Sequence, residues 1–175
     1  MKLFLKIGAS LLVLFFVFGC FYFIQSLDYE KIADRINAKT AKGLEEQKHL
    51  YLIGTGGQMM DDIQMMMMGF NFYSTANIKT ARNLLIEAAE KYLLAINSNE
   101  KIRPYLHNYP FTDKNIEIVI YFYKPDGSNI DSGELFIAAA NRGKIIYYID
   151  CPDRDILKSI YQETYEKALQ ITLSE

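Results

Sequence analysis

Six of the seven methionines stand within ten residues, at Met59, Met60 and Met65 to Met68. Thioethers are soft ligands that hold Cu(I) in exported proteins, usually as spaced pairs completed by a His or Cys. No His or Cys lies inside this window. Successive strand residues point to opposite faces, so Met65 to Met68 cannot all meet one ion in regular β structure. Filling irregular core space is the ordinary role of such side chains. The residues therefore assign no metal and no cofactor.

Nucleophilic chemistry needs a base beside the nucleophile. The chain has two cysteines, Cys20 and Cys151, and two histidines, His49 and His107. Cys20 falls inside an apolar run, which leaves Cys151 without an intrachain partner in the folded domain. A buried, unpaired Cys at a strand end is expected, with an intermolecular disulfide or a reactive thiol as the alternatives. No spacing brings His107 to Cys151. Asp61-Asp62 and the group Asp150, Asp153 and Asp155 lack the ligand count and glycine of a calcium loop. They read as a solvated turn and as an acidic helix N-terminus. Gly54-Thr55-Gly56-Gly57 follows a short apolar strand, but Gln58-Met59 stands where a phosphate loop carries Lys-Ser/Thr. A tight turn between strands is expected there, and no catalytic residue is assigned.

Recognition chemistry is better represented. In Arg103-Pro104-Tyr105-Leu106-His107-Asn108-Tyr109-Pro110-Phe111, two prolines bracket aromatic residues that offer contact area at low entropic cost. Tyr105, His107 and Tyr109 are the expected partner-binding residues. The plainer alternative is that the two tyrosines close the edge of the core.

What must position these residues begins with residues 7–24, an apolar run of which twelve are Leu, Ile, Val or Phe. Eighteen residues make a helix of roughly 27 Å, close to the ~30 Å hydrocarbon core of a bilayer. Lys2 and Lys6 precede the run, and no Ala-x-Ala cleavage site follows it. Residues 1–25 are read as a transmembrane signal anchor. Val17-Phe18-Gly19-Cys20 resembles a lipobox, so lipidation at Cys20 is the alternative, although Phe18 fits it poorly. Lys31, Arg35, Lys39 and Lys42 on the far side leave the charge rule without a clear preference. Long domains translocate largely regardless of charge, and the expected orientation is a cytoplasmic N-terminus with an exported C-terminal domain. The absence of any Asn-x-Ser/Thr sequon points to a bacterial envelope, with the domain facing the periplasm.

Beyond residue 25 the chain carries 17 Lys and Arg against 21 Asp and Glu, which argues against nucleic acid as a partner. Residues 26–49 read as a helical stalk with a thin apolar stripe at Tyr29, Ile32, Ala33, Ile36 and Thr40. Residues 50–175 read as one α+β domain. Its strands are expected over Leu50 to Ile53, Ile63 to Tyr73, Ile116 to Phe122, Leu135 to Ala140 and Ile145 to Asp150. Its helices are expected from Ser74 or Thr75 to Asn97, and from Pro152 onward. The order β-β-α-β-β-β-α predicts an antiparallel sheet of about five strands covered on one face by two helices. The expected function is a membrane-anchored protein whose domain binds another protein or serves a membrane complex. An exported metal-handling or thiol-dependent protein is the other class these residues allow.

Overall fold

The computed structural model describes residues 29–151 and 156–174. The anchor, Cys20, Pro152, Asp153 and Asp155 lie outside them. A helix over residues 29–48 (α1) leads into strands β1 (Tyr51–Gln58) and β2 (Met65–Phe72) and helix α2 (Ile78–Asn97). Strands β3 (Ile116–Phe122), β4 (Leu135–Asn141), β5 (Lys144–Cys151) and β6 (Ile156–Thr164) follow, and α3 (Tyr165–Leu173) ends the fold. The α+β class holds. The sheet, however, has six strands in the order β1-β2-β3-β4-β5-β6 and is mixed, because β2 and β3 run parallel. A parallel pair needs a crossover, and α2 supplies it between β2 and β3. The other neighbours are antiparallel.

Alternation along the strands builds the core. Met66, Met68 and Phe70 on β2 and Ile116, Ile118, Ile120 and Phe122 on β3 are buried. Ala138, Ala140, Ile145 and Tyr147 join them from β4 and β5, against Ala81, Leu85, Ala88, Tyr92 and Ile96 of α2. Asn77 caps α2 by accepting from the Thr80 amide, two or three residues inside the expected start. Ser74 and Thr75 are thus displaced by a residue at least as good at the position.

Three expectations need correction. The helix over residues 29–48 is not a free stalk. Tyr29, Ala33, Ile36 and Leu44 enter the same core, and the Tyr92 hydroxyl donates to Asn37 Oδ1 at 2.5 Å. Residues from Leu157 onward do not form the last helix at once. Leu157, Ile160, Tyr161 and Thr164 have helical spacing, yet the open edge of β5 captures the segment as β6, and α3 starts only at Tyr165, capped by Thr164. Finally, Gly54-Thr55-Gly56-Gly57 lies within β1 and is not a turn. A Cβ on Gly57 would sit 2.3 Å from the Met65 carbonyl oxygen, so glycine is what lets β1 and β2 close at this point.

Candidate functional site

The Pro-bounded loop is pinned by backbone pairing. The Ile63 amide donates to the Tyr105 carbonyl at 2.8 Å, and the His107 amide donates to the Ile63 carbonyl at 2.9 Å. These bonds divide the three expected contact residues. Tyr105 is partly buried, with its ring 5.4 Å from that of Tyr29. Tyr109 is half exposed, under the Arg103 guanidinium at 4.5 Å from the ring centre. His107 Nδ1 lies 2.5 Å from Asp62 Oδ2. A carboxylate–imidazole pair orients a base, but among the described residues no hydroxyl or thiol is bonded to the ring. The pair is half exposed and organises the loop.

The other chemical candidates separate in space. Through the sheet register, the start of β2 lies beside the start of β3, the end of β4 and the start of β5. Cys151 ends β5, so it lies at the opposite end of the sheet from His107, three strands away. Met66 and Met68 are buried under the helices, whereas Met65 and Met67 belong to the other face and Met60 is almost fully exposed. These five thioethers do not converge. Among the described residues, no three His, Cys, Asp or Glu side chains are grouped to hold a metal.

A buried ionic cluster crosses the helix face of the sheet. Arg82 on α2 donates through Nε to Glu163 Oε1 at 2.8 Å and through Nη2 to Oε2 at 3.3 Å. The Tyr147 hydroxyl donates to the same Oε1 at 2.7 Å. The hydrogen bond to Glu163 holds the Arg82 guanidinium above its ordinary range, against the opposing effect of burial. Burial first, then the bond to Glu163, pushes the Tyr147 phenol up. The Glu163 side chain is fully enclosed and all its bonds are internal, so the cluster ties α2 to β5 and β6.

The second face of the sheet is different in kind. Among the described residues no helix covers it. Strand register aligns a row of Gly69, Val119, Ala139 and Ile146 across β2 to β5, with Ile53 of β1 packed over Gly69. Beside it a second row carries Tyr51, Asn71, Tyr121, Ile137 and Tyr148. Aromatic rings run on from there. Tyr51 and Tyr73 are 5.4 Å apart, Tyr73 and Tyr123 5.9 Å, and Phe136 meets both Tyr123 and Tyr121 within 6.4 Å. Ile53 is 53% exposed and Tyr73 41%. A solvated sheet face ordinarily alternates to polar residues, whereas these two rows are aliphatic or aromatic but for Gly69 and Asn71, and the polar side chains Glu117, Asn141 and Lys144 stand together in a further row. Two carboxamide oxygens on it, Asn71 Oδ1 and Asn141 Oδ1, are buried and have no hydrogen-bond partner among the described residues.

This face was not among the expected sites, yet a signal existed. On β3 the residues between the core positions are Glu117, Val119 and Tyr121, and on β5 they include Ile146 and Tyr148. Apolar residues at successive positions, rather than at alternate ones, are the pattern of strands that offer an apolar surface on both faces.

Comparison of the chain with models of protein families finds no match, and comparisons with curated proteins and with solved structures find none either. Among the described residues no helix is long and apolar enough to cross a membrane. Residues 7–24, where the sequence puts the span, are not among them.

Proposed function

We propose that this chain is a single-pass membrane-anchored protein whose α+β domain, exported from the cytoplasm, binds another protein through the uncovered face of its sheet. The observation that carries this reading is the aromatic and aliphatic surface running from Tyr51 to Tyr148, with exposed Ile53 and Tyr73 at its edge. Contiguous apolar surface of this kind, with aromatic anchors, marks interaction sites on soluble domains. β1 extends it. β1 is an edge strand with no charged residue and no proline, and natural edge strands usually carry such devices against pairing. The apolar run at residues 7–24 supports the anchor.

A photo-crosslinking residue placed at Tyr121 or Ile146 of the full chain, in native membranes, tests the reading. A discrete adduct from these positions, and none from Gln170 on α3, is expected. Adducts from neither position, or release of the chain from membranes by alkaline carbonate, would overturn it.

A further inference from the structure

The helix face holds a groove of about 810 Å³ between α1 and α2. The two helices run antiparallel, with Lys48 paired to Glu87 and Asn37 to Tyr92. Gly43 and Ala95 are too small to fill the space between them, which leaves the groove open. Its volume falls in the range of small-molecule sites. Ile32 and Ile36 give it apolar wall, while Arg35, Lys39, Lys91 and Lys101 bring four cations against the single carboxylate of Glu100. The whole chain is formally −2, so this concentration of positive charge runs against the composition. The carboxyl end of α2 adds only partial negative charge, since the Leu94 and Ile96 carbonyls already accept from Ser98 and Asn99. Lys91 is turned to Gln47, but no carboxylate neutralises Arg35, Lys39 or Lys101 among the described residues. Thr40, in the same wall, has a buried hydroxyl without a partner there.

Position selects the anion. Only residues 25–28 separate the apolar run from α1. Five peptide steps span at most about 18 Å even when fully extended. With the run in a bilayer, the Ile32–Arg35 end of the groove therefore lies within reach of the lipid headgroups. Wherever a leaflet carries anionic headgroups, they attract Lys and Arg that lie within a Debye length of the bilayer surface, and the apolar wall suits the glycerol and first methylenes behind a phosphate. We propose that the α1–α2 groove binds the phosphate headgroup of an anionic phospholipid from the membrane that holds the N-terminal run. The proposal rests on the anchored reading for its choice of lipid.

The full chain in neutral detergent can be titrated with dihexanoyl phosphatidylglycerol, dihexanoyl phosphatidylcholine and inorganic phosphate, with calorimetry as the readout. Saturable binding of the phosphatidylglycerol is expected, at least tenfold tighter than of either other ligand. The double variant Arg35→Gln/Lys39→Gln and the separate variant Lys101→Gln should each weaken it several-fold, with melting temperatures unchanged because these side chains are exposed. Equal binding of the phosphatidylcholine would overturn the site. So would phosphate binding as tightly as the lipid, which would indicate a free anion, or folded variants that bind like the parent. Binding of an acidic peptide in place of the lipid would also overturn it and assign the groove to a protein segment. Carbonate extraction of the same protein is scored separately. Release from membranes with lipid binding intact retires the anchor alone, and retention without lipid binding retires the groove alone.

Discussion

Arg82, Glu163 and Tyr147 show how much a few buried groups hold. Removing one partner of a buried ion pair leaves the other charge uncompensated, at a cost of about 3–5 kcal/mol. Glu163→Gln should therefore lower stability by about 3 kcal/mol or more in a urea melt. Tyr147→Phe, which deletes one bond to a charged acceptor, should cost about 1.5–3 kcal/mol. The tyrosines also set the alkaline limit. Burial raises the phenols of Tyr92, Tyr147 and Tyr165 above the ordinary value of 10.0. A phenol raised in the folded state keeps its proton where the unfolded chain has lost it, so its stabilising contribution is complete below pH 10 and declines as pH rises further. The absorbance of these ionising phenols should thus appear together with loss of helical circular dichroism. Full ionisation of all tyrosines with the fold intact would contradict their burial. Within the loop, Tyr105→Ala should destabilise more than Tyr109→Ala, because only Tyr105 packs against Tyr29. Equal thermal shifts would show that the loop does not divide in this way.

At the scale of elements, the central part of the fold was legible in the sequence because local pattern and tertiary outcome agree. β2, β3, the β4–β5 hairpin with Arg142 and Gly143 at positive φ, and the stripe of α2 follow from period and turn chemistry. The elements that were misread are those whose local pattern loses to a neighbour. The helical spacing from Leu157 to Thr164 yields to the hydrogen-bonding edge of β5, and Glu163 thereby faces Arg82. A helical reading of the segment hides that pairing. The stripe on α1 was visible, but its partner was not, since an apolar stripe does not say what it packs on. The loop of Tyr105, His107 and Tyr109 is legible as a Pro-bounded aromatic segment, whereas the sheet face is not, because Val119 and Ile146 look like ordinary strand residues until the register aligns them. The glycines of β1 give the sharpest test at this scale. Gly57→Ala should cost about 1–3 kcal/mol through the clash with the Met65 carbonyl, as overpacked sites do. Gly54→Ala, with open space around its Cβ, should be neutral or slightly stabilising. Equal effects from the two would mean that β1 and β2 are paired in another register.

The whole molecule has two unlike sides. Among the described residues, one buries three helices against the sheet in a single core, and the other leaves aliphatic and aromatic side chains without a helix over them. Two charges on that second side test directly whether it is where a partner binds. The full chain carrying Val119→Lys and Ile146→Lys, compared with the parent and with Gln170→Lys on α3, can be followed by native electrophoresis of mildly solubilised membranes. Lysine on a partly exposed strand face keeps its head in water, so the double variant should melt within about 1 kcal/mol of the parent. Its migration should nevertheless collapse from a higher-mass complex to the free chain, while Gln170→Lys stays in the complex. A folded double variant that still runs in the parent's complex would contradict binding through this face.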